Sequence, residues 1–89
     1  MKELAQKLRE FARERDWDQF HSPKNLAMAL SVEVAEIVEI FQWLTEEQSL
    51  SLNVEKLQKV KEEIADVMIF LINLADKLGI DPLQEFAIF

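Results

Sequence analysis

The stretch VEKLQKVKEEIADVMIFLINLADKL, residues 54–78, decides the fold of this 89-residue chain. It contains neither proline nor glycine, and its apolar residues recur at the three- and four-residue spacing of an α-helix. From Val67 to Leu74 the helix is apolar on most sides, yet one narrow stripe stays largely polar and holds Lys59, Glu63, Asp66, Phe70, Asn73 and Lys77. We therefore predict a long, largely buried helix that Asn53 caps and Gly79 ends.

The rest of the chain predicts three more helices and no strand. A first helix covers about residues 2–15, and a connector without clear periodicity follows at 16–21. Ser22-Pro23 has the pattern of a cap followed by a first-turn proline and begins a helix that runs to about residue 43 or 44. Residues 45–52 are polar and loop-like, and Asp81-Pro82 begins a short last helix. We expect a single all-α domain, residues 1–89: a four-helix bundle-like protomer with two long central helices.

Composition limits the possible partners. The net charge of −7 argues against a nucleic-acid polymer or an anionic membrane as partner. The chain has no cysteine, and no apolar run approaches the roughly 18 residues that a membrane span requires. We expect a soluble, cytoplasmic protein. Because 49% of so short a chain is hydrophobic, we also expect a homo-oligomer that buries the surplus apolar surface.

Two acidic pairs, Glu33-x-x-Glu36 and Glu63-x-x-Asp66, lie inside the most apolar segments. Residues three apart share a helix face, and two carboxylates about 5 Å apart repel by roughly 3 kcal/mol at an effective dielectric constant near 20. If the two central helices pack antiparallel, all four acids converge, and a divalent cation would relieve the repulsion. Oxygen ligands favour Mg²⁺, with Mn²⁺ as a possible substitute. The alternatives are ordinary surface acids or a structural metal-binding bundle; a di-iron site is excluded because His21 is the only histidine.

The order of these motifs resembles the MazG-like branch of the all-α nucleoside triphosphate pyrophosphohydrolases, and within it the dCTP pyrophosphatases. The matching segments are residues 11–21 (FARERDWDQFH), 23–26 (PKNL), 33–36 (EVAE), 41–43 (FQW) and 62–67 (EEIADV). The resemblance implies Mg²⁺-dependent cleavage of a dNTP, with dCTP preferred, to dNMP and pyrophosphate, and hence clearance of unwanted nucleotides. It also implies a dimer or a dimer of dimers.

Carried onto this sequence, the resemblance assigns catalysis and metal binding to Glu33, Glu36, Glu63 and Asp66. For the nucleobase it points to His21 and Trp43, since an indole face can stack on a base. Asn25 and Asn73 are further candidates for substrate contacts, and Phe70 stands where the family carries a tyrosine. Trp17 is interpreted as a packing residue.

One departure from the family pattern leaves an alternative open. The family usually continues into a basic tail that contacts the phosphates, and the sequence has no such segment after residue 86. Either a metal ion together with Lys24, Lys59 or Lys77 neutralises the phosphate charge, or the catalytic activity of this chain is impaired. The competing class of function is therefore a non-catalytic, oligomeric helical module that binds nucleotide or protein.

Overall fold

A computed structural model of the chain describes residues 2–86, together with all of their side chains except those of Asp18 and Phe86. The ends of the predicted domain, residues 1 and 89, lie outside this range. The helices are α1 (Lys2–Glu14), α2 (Pro23–Phe41), α3 (Glu46–Ser49), α4 (Val54–Lys77) and α5 (Pro82–Phe86), and a 3₁₀ turn covers Asp18–Phe20. Residues 2–86 contain no strand, so the prediction of an all-α fold is confirmed. No helix in this range is long and apolar enough to cross a bilayer.

Local capping chemistry sets the ends of the two long helices. The Ser22 hydroxyl accepts a hydrogen bond from the Asn25 backbone N–H at 3.1 Å, and Pro23 occupies the first position of α2. The Asn53 side chain caps α4 in the same way, accepting from the Lys56 backbone N–H at 2.8 Å. At the other end of α4, Gly79 has φ of +69°, the left-handed conformation that favours glycine. The predicted caps and terminator are thus confirmed.

The loop prediction for residues 45–52 is wrong in part, because Glu46–Ser49 form the one-turn helix α3. Thr45 and Gln48 make a reciprocal capping box: the Thr45 hydroxyl accepts from the Gln48 backbone N–H at 3.1 Å, and the Gln48 side chain accepts from the Thr45 N–H at 2.9 Å. This pairing satisfies two backbone donors and stabilises a turn whose polar composition is typical of a loop.

The main packing contact joins α2 and α4, and α1 packs on α4 beyond it. The buried apolar residues of the described chain are few: Ala12, Leu26, Val60, Ile72 and Ala75. Several large apolar side chains on the outer faces of the central helices are instead exposed, among them Met28, Val32, Val38, Ile64, Met68 and Leu71. The prediction that the helix at residues 54–78 is largely buried therefore does not hold within one protomer, where Ile64, Met68 and Leu71 of α4 are exposed.

Candidate functional site

Three of the four predicted acids meet between the central helices. Glu33 and Glu36 lie one turn apart on α2, and Glu63 lies opposite them on α4; one carboxylate oxygen of each is within 4.8 Å of the others. We call these three residues the carboxylate cluster. Glu63 is only 5% exposed, and Glu33 and Glu36 are half-buried. Asp66 is half-buried one turn further along α4 and lies outside this group of mutually close oxygens.

Two oxygens of the cluster lack the partners that buried polar atoms normally have. The Oε2 atoms of Glu33 and Glu63 are both buried and accept no hydrogen bond. An unpaired buried acceptor costs about 1–3 kcal/mol, and more when the group is charged. A divalent cation would satisfy both atoms and offset the repulsion between the carboxylates, so the residues present fit a metal site.

The electrostatics of the cluster are visible at Glu36. A hydrogen bond shared with Glu63 and the negative charge of Glu63 raise the pKa of Glu36 above its ordinary value, and burial adds to the shift. A contact with Glu33 and the positive charge of Lys59 act in the opposite direction. In the absence of a cation, this environment therefore favours the protonated form of Glu36.

An apolar cavity of about 550 Å³ lies beside α4, on the side of the cluster toward the helix C-terminus. This volume falls in the usual range for small-molecule sites. Its lining comes from α1, the connector and α4: Lys7, Leu8, Phe11, Ala12, Trp17, His21, Ile69, Phe70 and Asn73. Three of the predicted substrate residues, His21, Phe70 and Asn73, thus share one cavity.

The end of α1 explains how Trp17 reaches this cavity. Asp16 adopts φ of +56°, and the Trp17 backbone N–H bonds back to the Ala12 carbonyl at 2.8 Å. With the Asp16 N–H donating to the Arg13 carbonyl at 3.1 Å, this is a Schellman turn. It brings the Trp17 indole edge-on to Phe11, with 5.3 Å between ring centroids, and within 6.3 Å of the His21 ring. The edge contact with Phe11 agrees with the prediction that Trp17 is a packing residue, and the same ring also lines the cavity.

The other two predicted substrate residues do not line the cavity. Trp43 follows α2 at its C-terminal end and is 87% exposed. Asn25 is held to the preceding turn, where its side-chain amide donates to the Phe20 carbonyl at 3.3 Å. Any role for either residue in binding substrate stays a prediction.

Comparisons with known proteins find similarity over most of the chain. Residues 28–85 match the model of the MazG-like family. The chain is 43% identical over 74 residues to human dCTP pyrophosphatase 1 and 45% identical to the mouse protein of that name; each match covers 81% of this chain and 44% of the relative. The chain therefore spans less than half the length of the curated relatives it matches. A solved pyrophosphatase structure from Archaeoglobus fulgidus superposes with a TM-score of 0.90 at 43% identity, covering 98% of this chain and 82% of that one.

Proposed function

Because the chain belongs to the MazG-like family, we propose that it hydrolyses nucleoside triphosphates to the monophosphate and pyrophosphate. One observation carries the proposal: three convergent carboxylates with two unpaired buried oxygens lie beside an apolar cavity that is large enough to admit a nucleobase. The acids offer ligands for a cation that binds phosphate, and the cavity offers apolar walls for a base. A purely structural metal site would not require the cavity.

We assign metal binding to Glu33, Glu36 and Glu63, with Asp66 as a further ligand. A bound Mg²⁺ supplies charge neutralisation of the polyphosphate and lowers the pKa of water. The protein itself positions the carboxylates for metal binding. Glu63 is buried in the helix interface, and the i, i+3 spacing orients Glu33 and Glu36 toward it. An acid that does not bind the cation directly can accept a proton from the attacking water.

For the nucleobase we propose the apolar cavity, with dCTP as the preferred substrate. The Trp17 and Phe70 rings give stacking surfaces, and His21 and Asn73 supply polar groups at the wall. Support for a cytosine base comes from the names of the mammalian relatives. On this proposal the protein removes surplus or aberrant deoxynucleotides.

We further propose a homo-oligomer, a dimer or a dimer of dimers. The chain exposes 7074 Å² of surface, whereas a compact monomer of 10.4 kDa exposes about 5,400 Å². Its radius of gyration of 15.3 Å likewise exceeds the roughly 12 Å expected for this length. The excess surface is comparable to what one subunit loses in two interfaces of standard size, about 800 Å² each. The apolar outer faces of α2 and α4 are the surfaces we expect to be covered.

The proposal is tested by identifying the products formed from a panel of dNTPs and NTPs with Mg²⁺, with Mn²⁺ and with EDTA. We expect pyrophosphate and the monophosphate, fastest from dCTP and absent in EDTA. Release of orthophosphate would contradict the cleavage position. Nucleotide binding without turnover would support the non-catalytic module instead.

Two tryptophan variants test where the base binds. Trp17→Ala removes a ring of the cavity, and Trp43→Ala removes the exposed ring at the end of α2. Loss of a stacked ring costs about 1–3 kcal/mol, so we expect KM for dCTP to rise about 5- to 150-fold in Trp17→Ala and to stay near the wild-type value in Trp43→Ala. The reverse pattern would assign stacking to Trp43 and not to the cavity.

A further inference from the structure

A second hollow adjoins the carboxylate cluster on the side away from the apolar cavity. It has a volume of about 290 Å³ and is lined by Glu36, Glu39, Ile40 and Lys59. Lys59 is its only positively charged lining residue, and the side chain is exposed on the face of α4 that carries Glu63. An opening with one cation beside a set of metal-binding acids suits an anionic group of the same ligand that the acids bind.

The order of residues along α4 places the cluster between the two openings. Lys59 precedes Glu63 by one turn, about 6 Å along the helix axis at 1.5 Å per residue. Phe70 and Asn73 follow Glu63 by about 10–15 Å on the same stripe. Since Glu36 faces Glu63 while Ile40 faces the hollow of Lys59, α2 runs antiparallel to α4. Along α4, Lys59 is therefore followed by the carboxylate cluster and then by the apolar cavity.

We propose that Lys59 binds the terminal phosphates of the nucleotide, with the base in the apolar cavity and the scissile phosphates over the carboxylate cluster. This inference rests on the proposed function, and it fixes the direction in which the substrate lies.

The other lysines considered for this role are too far away or face elsewhere. Lys77 lies fourteen residues beyond Glu63, about 21 Å along α4, and Lys24 lies nine residues before Glu33, about 13 Å along α2. Lys7 lines the apolar cavity, on the other side of the carboxylate cluster. Lys61 is two residues from both Lys59 and Glu63, which directs it to a different side of α4.

The competing explanation is that Lys59 holds the helices together through an ion pair with Glu36 or Glu39. Among the side chains that the structure describes, however, no ion pair within 4.0 Å involves Lys59. The ammonium group is near enough to oppose the rise in the pKa of Glu36, yet it is not engaged with either acid. It is therefore available to an incoming phosphate.

The test compares Lys59→Gln with Lys61→Gln, a matched loss of one exposed lysine from the same helix. Calorimetric titration in Mg²⁺ measures binding of dCMP and of the non-hydrolysable α,β-imido analogue of dCTP. We expect Lys59→Gln to weaken binding of the triphosphate analogue about tenfold, as for loss of a charged hydrogen bond, and to leave dCMP binding unchanged. Lys59→Arg should restore the affinity, and Lys61→Gln should behave as wild type.

Two results would overturn the inference. Equal loss of affinity for both ligands would show that Lys59 does not contact the terminal phosphates. An unchanged affinity for the analogue would show that Lys59 contacts no phosphate. Because these are binding measurements, they are independent of the product analysis: pyrophosphate release by the wild type would still support the proposed function if the Lys59 result were negative.

Discussion

Replacing Glu63 with glutamine should stabilise the metal-free protein, although it removes a charged group from a helix interface. Glu63 is 5% exposed, and its carboxylate lies within 4.8 Å of that of Glu33. Two charges at that separation repel by about 3 kcal/mol at an effective dielectric constant of 20. The glutamine amide can also donate a hydrogen bond to the unpaired buried oxygen of Glu33. Solvent screening makes the Coulomb figure an upper bound, so we expect a gain in unfolding free energy of about 1–3 kcal/mol.

The assay is thermal unfolding in EDTA and in Mg²⁺ at pH 8 and one fixed protein concentration. In EDTA the melting temperature of Glu63→Gln should exceed that of the wild type by roughly 5–20 °C. Mg²⁺ should raise the wild-type value, by about 2.7 kcal/mol of stability at 100 times its Kd, and should have far less effect on the variant. Glu62→Gln, which changes the exposed neighbouring acid, is the matched control and should alter neither value.

A Glu63→Gln protein that is less stable than the wild type in EDTA would refute this reasoning. It would mean that the carboxylate already has a favourable partner within the protein. An unchanged response to Mg²⁺ would separately refute the assignment of Glu63 as a metal ligand.

Three further predictions concern charge and backbone conformation. The pKa of Glu36 is raised from 4.5, so the contribution of protonated Glu36 to stability is complete below pH 4.5 and is lost as the pH rises through the folded-state pKa. The melting temperature of the metal-stripped wild type should therefore fall over this pH range, and that of Glu36→Gln should fall less. The hydrogen bonds and charge of Arg9 lower the pKa of Asp76 from 3.8. The Arg9–Asp76 pair therefore stabilises the folded protein above pH 3.8, and this stabilisation is lost as the pH falls through the folded-state pKa. Arg9→Gln should lower the melting temperature at pH 7, and the difference from the wild type should vanish in acid. Gly79→Ala should cost about 1 kcal/mol in urea unfolding, because φ is +69° and an added Cβ meets nothing within 4 Å, so that only backbone strain contributes; an unchanged midpoint would contradict this.

Features set by a few neighbouring residues could be predicted from the sequence. The caps at Ser22 and Asn53 and the terminator at Gly79 each depend on one side chain or one backbone conformation, and all three are found where the sequence places them. The capping box of α3 is also set by neighbouring residues, since Gln48 follows Thr45 by three positions. The pattern is present in the sequence, but the polar composition of residues 45–52 favoured a loop prediction.

The carboxylate cluster could be predicted from the sequence only in part, because it depends both on local spacing and on tertiary packing. The spacing of each acidic pair predicts a shared helix face, and antiparallel packing then brings Glu33, Glu36 and Glu63 together. Helical periodicity does not determine how far one helix is shifted along its axis relative to the helix that packs against it. For that reason the sequence could not reveal that Asp66 lies outside the group of mutually close oxygens.

The apolar cavity depends on packing that no pattern in the sequence encodes. Trp17 reaches it through a left-handed Asp16, a residue type in which that conformation is only occasionally found, and through the approach of α1 to α4. Trp43, by contrast, lies beyond the end of α2 at Phe41, and its indole is exposed within one protomer, so its role in stacking on the base stays a prediction.

The most direct test of the account is pyrophosphate release from dCTP as Mg²⁺ is titrated into EDTA-stripped protein, with wild type, Glu63→Gln and Glu62→Gln compared. We predict no release before metal is added, saturable release by the wild type and by Glu62→Gln, and release at least about 100-fold slower from Glu63→Gln. Metal-independent release, or wild-type rates from Glu63→Gln, would contradict the assignment of the carboxylate cluster as the catalytic metal site.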